Sequence, residues 1–260
     1  MSFHTRLTWR DAPLDLDCAW VGPGDARGPV IVFLHEGLGS IAGWRDFPER
    51  LCALTGQRGL VYSRYGYGHS TPRPADERWG PDFMHRQAAE VLPALLEALS
   101  IRRPWLFGHS DGASIALLHA ARHEVAGVVA VAPHIMVEAL SIRSIQAARQ
   151  AYEHGDLRER LARHHADPDS AFYGWNDAWL SPAFDDWQIE DELPRIVCPV
   201  LAVQGEDDAY GTLEQVRGIV RRLPKTRLLV MAECGHSPHR EQPDLLIREA
   251  RRFITEAAST

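Results

Sequence analysis

Six short, largely apolar runs recur along the chain: Val30–Leu34, Leu60–Ser63, Trp105–Phe107, Val125–Ala132, Val200–Gln204 and Arg227–Met231. Runs this short and continuous read as strands of a parallel sheet covered on both faces, where burial of both sides removes the usual alternation. Helical spacing of apolar residues fills the intervals. One helix begins near Trp44, another spans Phe83–Leu99, a third follows Ser110, and two more cover about 213–223 and 244–257. Ahead of them, Leu7–Trp9 and Leu16–Val21 predict two strands joined by a turn at Asp11-Ala12-Pro13, and Gly22-Pro23-Gly24-Asp25 then breaks the chain. This alternation predicts an α/β fold, a mostly parallel sheet flanked by helices. From Ile135 to about Arg195 the strand-like runs stop and helical patterns take over. A helical cap over residues 135–195 is therefore expected, inserted into a core made of 1–134 and 196–260.

The run at Trp105 passes into Gly108-His109-Ser110-Asp111-Gly112 and then directly into an alanine- and leucine-rich helix. A serine at the apex of so sharp a strand-to-helix turn sits in strained backbone angles, and glycines two residues to either side let strand and helix close around it. Ser110 is the candidate nucleophile. A serine hydroxyl needs a base, and the base needs an orienting carboxylate. Two later strands end in suitable loops, Gly205-Glu206-Asp207-Asp208 and Glu233-Cys234-Gly235-His236-Ser237-Pro238. His236 is the candidate base, chosen among 13 histidines because it lies after a late strand and before the last helix. The acid is open among three adjacent carboxylates. The backbone N–H of Asp111, next to the nucleophile, is one candidate donor to an oxyanion, and a second is expected from the loop after Val30–Leu34.

On these residues the chain resembles the α/β-hydrolase superfamily, serine-nucleophile branch, from the His35 loop to the last helix. The turn Gly66-Tyr67-Gly68-His69-Ser70 matches the Gly-x-Gly-x-Ser turn of relatives, and Gly235-His236 with Glu241-Gln242-Pro243 matches their histidine loop. The resemblance implies an eight-stranded sheet with a small helical cap. Relatives' Gly-x-x-Asp acid loop assigns the acid to Asp208, with Asp207 next and Glu206 last. The register of their His-Gly-x-Gly loop makes Gly37 the second oxyanion donor. Glu36 departs from that pattern, since a glycine is usual there. It reads either as a solvated loop carboxylate or as a side chain that holds the loop or touches substrate.

The expected function is a cofactor-independent serine hydrolase acting through an acyl-enzyme on an ester or thioester of a small to medium apolar or aromatic acid. Serine at the elbow disfavours the haloalkane dehalogenase and epoxide hydrolase branches, which use aspartate there. A C–C bond hydrolase of ring-cleavage products is the nearest alternative, ahead of a proline iminopeptidase-like peptidase. A small-molecule receptor on the same scaffold and a cofactor-free oxygenase or lyase are the readings from other classes. His134, at a strand end, together with Trp175 and Trp179, is a candidate pocket residue, with structural packing as the alternative for each and for Trp187. Arg64 and Tyr65 read as fixing a turn, and His164-His165 as a solvated helix face with no metal spacing.

Bulk properties narrow this only slightly. The 260 residues are 45% hydrophobic and 24% charged, with net charge −7, which argues against nucleic acid or an anionic membrane as partner. No apolar run reaches membrane-spanning length, and the N-terminal residues lack a signal-peptide pattern, so a cytoplasmic protein is expected. Cys18, Cys52, Cys198 and Cys234 are scattered and read as reduced, mostly buried thiols, with no metal site. The expected partner is a small-molecule substrate; a homodimer is left open.

Overall fold

The computed structural model describes residues 2–258. The strands are β1 (Ser2–Trp9), β2 (Ala12–Val21), β3 (Ile31–Leu34), β4 (Gly59–Tyr62), β5 (Trp105–His109), β6 (Gly127–Val131), β7 (Val200–Gly205) and β8 (Arg227–Met231). They form one eight-stranded sheet in the order β1-β2-β4-β3-β5-β6-β7-β8. All neighbours from β4 to β8 run parallel, and only the β1–β2 and β2–β4 pairs are antiparallel. The central strands β3 to β7 are buried along their whole length, as their unbroken apolar sequences require.

The helices are α1 (Phe47–Thr55), α2 (Phe83–Arg86), α3 (Leu92–Ala98), α4 (Asp111–Ala120), α5 (Ala139–His154), α6 (Leu157–Ala162), α7 (Pro168–Trp179), α8 (Glu214–Arg222), α9 (Pro238–Glu241) and α10 (Pro243–Ala257). Two apolar clusters cover the two faces of the sheet. One packs Phe33, Phe107 and Val203 against α1 and α10, and the other packs Val32, Leu106 and Ala130 against α3 and α4. Helices α5, α6 and α7 lie in the chain between β6 and β7, where the sequence pattern changes. No helix among the described residues is long and apolar enough to cross a membrane.

The helix expected over Phe83–Leu99 is interrupted. A π-helical turn, Gln87–Val91, separates α2 from α3, and Leu92 N–H reaches back to the Gln87 carbonyl. In this i→i−5 register the next donor would be Pro93, which has no N–H, so one carbonyl is left without a helical partner. That carbonyl, Ala88, is instead met by Nδ1 of His119 at 2.8 Å. Near Trp44 the expected helix is a short 3₁₀ turn, Ile41–Trp44, and α1 begins only at Phe47.

The elbow is where sterics are tightest. Ser110 adopts φ 54°, ψ −123°, a conformation costing an L-residue on the order of 1–3 kcal/mol. A Cβ at Gly112 would lie 2.1 Å from the Leu34 carbonyl oxygen, and one at Gly108 2.4 Å from that of Gly112. Both glycines are needed so that α4 can start directly beside the end of β3. Ser110 N–H donates to the Val131 carbonyl at 2.9 Å, which ties the elbow to β6 as well.

Candidate active site

Strands β5, β7 and β8 deliver three side chains to one place. Ser110 Oγ lies 3.0 Å from His236 Nε2, and His236 Nδ1 lies 2.8 and 2.9 Å from the two oxygens of Asp208. With Nδ1–H donating to the carboxylate, Nε2 is left free to accept the serine proton. Of the three adjacent carboxylates, only Asp208 is buried; Glu206 and Asp207 face solvent. Asp208 also accepts from Gln204 Nε2 at 2.6 Å and from the Tyr210 N–H at 2.7 Å. Burial pushes its carboxyl up, but the hydrogen bond and charge of His236 and the Tyr210 N–H outweigh it and hold the group below the usual carboxylate range.

The His236 loop is shaped by its own sequence. Glu241 accepts from the Gly235 N–H at 2.6 Å and the Ser237 N–H at 2.8 Å, one on either side of the histidine. Gly205 lets β7 approach this loop, since a Cβ there would lie 2.2 Å from the Cys234 carbonyl oxygen.

The two candidate oxyanion donors flank the serine. Asp111 opens α4, so its N–H is one of those a helix leaves without an internal partner, at the positive end of the dipole. Gly37 lies under the indole of Trp175, and a Cβ there would come within 2.2 Å of Trp175 Nε1. Only glycine lets that α7 residue sit so close to the loop. The Asp111 side chain points into the protein, where Oδ1 accepts from Trp179 Nε1 at 3.3 Å and Oδ2 has no partner. Burial raises this carboxyl to about 6, against the pull of Arg64 and the Trp179 bond.

Ser110, His236, Asp111, Gly37, Glu36, His134, Trp175 and Trp179 line one cavity of about 200 Å³, with Leu38, Ile145 and Tyr210 also in its wall. The expected site residues are therefore brought together, with Asp208 behind His236. His134 packs edge-on to Trp179, with centroids 4.9 Å apart, and burial next to His236 drives its pKa down to about 3. Trp187 stays outside the cavity, stacked on Phe184. Arg64 fixes its turn as expected: its N–H donates to His35 Nε2 at 2.9 Å and its guanidinium to the Glu36 carbonyl at 2.8 Å.

One open alternative narrows and one expectation needs correction. Of the readings left open for Glu36, holding the loop fits better than a solvated carboxylate: it lies between Arg240, 3.0 Å from Oε1, and His109, 3.4 Å from Oε2. His165 is not on a solvated face, although His164 is exposed. His165 follows α6, is 4% exposed, accepts from Gly68 N–H at 2.9 Å and donates through Nε2 to the Leu38 carbonyl at 3.2 Å. It ties the segment after α6 to the Gly37 loop, and burial holds its pKa down to about 4. No local pattern announced this, because both bonds reach backbone atoms roughly a hundred residues away. Gln204, Tyr210, His109 and Arg240 were likewise unforeseen. Among the described residues no group of three or more His, Cys, Asp or Glu could hold a metal ion.

A serine on a strand–helix elbow at the wall of a cavity, a paired histidine and carboxylate on later loops, and amides beside the serine define the α/β serine-hydrolase class. The family model for the alpha/beta hydrolase family matches residues 31–249, and the chain belongs to that family. It is 27% identical to the serine hydrolase BPHL of Mus musculus, covering 90% of this chain and 81% of that protein. It is 22% identical to 2-hydroxy-6-oxo-6-phenylhexa-2,4-dienoate hydrolase of Comamonas testosteroni, over 88% of each chain. The structure of a thermophilic esterase from Thermogutta terrifontis superposes with TM-score 0.77 over 99% of both chains at 18% identity, a likeness of fold.

The acid assignment has a direct check. Asp208→Asn places an NH₂ or a neutral oxygen where His236 Nδ1–H needs an anion, so kcat is expected to fall by about 10³–10⁴-fold. Asp207→Asn, on an exposed side chain, is expected to stay within about twofold. Steady-state kinetics of the two variants decide the assignment, and the reverse pattern would move the acid to Asp207.

Proposed function

We propose that the protein is a cofactor-independent carboxylic ester or thioester hydrolase that works through a Ser110 acyl-enzyme on small to medium apolar or aromatic acyl groups. The observation that carries this reading is the unbroken line Ser110–His236–Asp208 at the floor of a cavity walled by Trp175, Trp179, Ile145 and Leu38. Ser110 Oγ attacks the substrate carbonyl while its proton passes to His236 Nε2, and Asp208 stabilises the resulting imidazolium. The Gly37 and Asp111 N–H groups receive the charge that develops on the carbonyl oxygen. Collapse expels the alcohol or thiol, which leaves with the His236 proton. Water then gives a proton to His236 as it attacks the acyl carbon, and collapse of the second tetrahedral intermediate releases the acid while Ser110 Oγ takes that proton back from His236.

The cavity wall favours an ester over a ring-cleavage dienoate. A dienoate carries a free carboxylate, whereas no arginine or lysine lines the cavity to receive one. The test is fluorophosphonate labelling with mapping of the modified residue, followed by p-nitrophenyl esters, acyl thioesters and a dienoate in parallel. Labelling at Ser110 with kcat/KM highest on an uncharged acyl ester or thioester is the expected result. Preference for the dienoate would overturn the bond assignment, and labelling elsewhere would overturn the mechanism.

A further inference from the structure

The position after His35 carries a carboxylate where relatives carry glycine, and the surrounding chain makes room for it. A Cβ on Gly39 would lie 2.5 Å from Glu36 Oε2, and one on Gly43 3.5 Å from Oε1. The carboxylate is engaged by protein groups, the Arg240 guanidinium and the His109 ring, rather than left free for a ligand. Arg240 holds Oε1 at 3.0 Å while its Nε donates to the Gly43 carbonyl at 3.1 Å, so one guanidinium grips the Gly37 loop twice. Nδ1 of His109 lies 3.4 Å from Oε2, and Nε2 of the same ring lies 2.7 Å from the backbone carbonyl oxygen of His236, so the ring bridges two acceptors. His109 is wholly buried beneath the serine, packed against His236 with centroids 5.0 Å apart. Burial pushes the Glu36 carboxyl up, but His109, Arg240 and His239 together hold it well below the usual range, so it is ionised throughout the neutral region.

We propose that Glu36 is a positioning residue that couples the oxyanion loop to the base loop, through Arg240 on one side and His109 on the other. The inference rests on the serine-hydrolase reading above. The physical need is plain. Gly37 N–H and His236 Nε2 sit on loops that follow β3 and β8, at separate places in the sheet, yet both must meet one tetrahedral centre to within a fraction of an ångström. Arg240 belongs to the segment just after His236 and His109 grips the carbonyl of His236 itself, so a charge on the Gly37 loop that binds both sets the spacing between the loops. Glu36 touches neither reacting atom.

The test compares Glu36→Gln and Arg240→Met with the wild type, each normalised by active-site titration with a fluorophosphonate. Arg240 is a third exposed and lies outside the cavity wall, so its variant keeps the inference testable if the Glu36 variant folds poorly. We expect kcat to fall by about ten- to hundredfold with KM within about twofold. Affinity for an aryl boronic acid, which mimics the tetrahedral state, should fall by the same factor while a ground-state competitive inhibitor binds unchanged. The double variant should be no worse than the poorer single one. A lower melting temperature with unchanged kcat per titrated site would overturn the inference in favour of a purely structural pair. A raised KM with weakened ground-state inhibitor would overturn it in favour of substrate contact. Either result leaves the hydrolase reading standing if wild-type Ser110 is labelled; no labelling there removes both.

Discussion

Ser110→Ala is expected to lower kcat by about 10⁴–10⁶-fold while leaving the fold and ligand binding intact. The hydroxyl is what the site holds ready, and alanine retains the Cβ and hence the same backbone strain at φ 54°. Nor does the change cost a helix cap, because the Ser110 side chain makes no capping bond to α4. The melting temperature should therefore move by no more than about 2 °C. Some rate above the uncatalysed reaction should persist if the Gly37 and Asp111 amides act as the proposed oxyanion donors, since the substitution leaves both in place. His236→Ala should produce a loss of similar size, and the double variant should be scarcely worse than either, since base and nucleophile act as one unit. The measurement is steady-state hydrolysis of a p-nitrophenyl ester after exhaustive purification, with circular dichroism on the same samples. Retention of most turnover in Ser110→Ala would falsify nucleophilic catalysis. It would point to the oxygenase or lyase reading, in which the serine is dispensable. Negligible turnover in the wild type with ligand-induced stabilisation would point instead to the receptor.

The parts of this molecule that were legible in its sequence are those whose physics is local. The buried strands announce themselves because a strand covered on both faces must be apolar at every position. The elbow does so because φ 54° at Ser110 and the approach of Leu34 demand glycines at fixed spacing. Asp208 was less readable than Ser110 for a physical reason. Three neighbouring carboxylates have the same chemistry, and the third is distinguished by partners seen only in the fold: Gln204 Nε2, the Tyr210 N–H and His236 Nδ1. An orphaned carbonyl near Gln87–Val91 could have been anticipated from Pro93, though its remedy could not, because the ring that satisfies Ala88 comes from a different helix. Glu36 and His165 were the hardest. Each is a polar residue beside a glycine-bearing loop or on a helix end, where solvation is the ordinary outcome. Each is held instead by partners that only the finished fold brings near.

That habit of burying histidines makes the fold acid-labile, and a steep loss of stability is expected between pH 6 and about 4.5. His119 and His165 are held down to about 4, His134 to about 3 and His239 to about 2, in each case chiefly by burial, and His35 lies well below its ordinary value. In the unfolded chain all five accept a proton near pH 6.5. Between that pH and their folded values the unfolded state binds more protons, so stability is complete above about pH 7 and falls as the pH drops. Asp111, raised to about 6, acts the other way and cancels roughly one of the five. Some four net protons at about 1.4 kcal/mol each give a slope on the order of 5 kcal/mol per pH unit. Against a typical stability of roughly 5–15 kcal/mol, that slope carries the unfolding midpoint to between about pH 5.5 and about pH 3.5. The structural reasons differ from ring to ring. Protonating His165 would set a second N–H against the Gly68 N–H, whereas His239 sits among Trp44, Phe47 and His109 with neither nitrogen partnered. His239→Phe should suit that aromatic setting, lower the acid midpoint and remove about one proton from the slope. Tryptophan fluorescence and far-ultraviolet circular dichroism across pH 3–8 read both quantities. A native signal persisting to pH 3, or a midpoint unmoved by His239→Phe, would show that these rings take up protons without unfolding the chain.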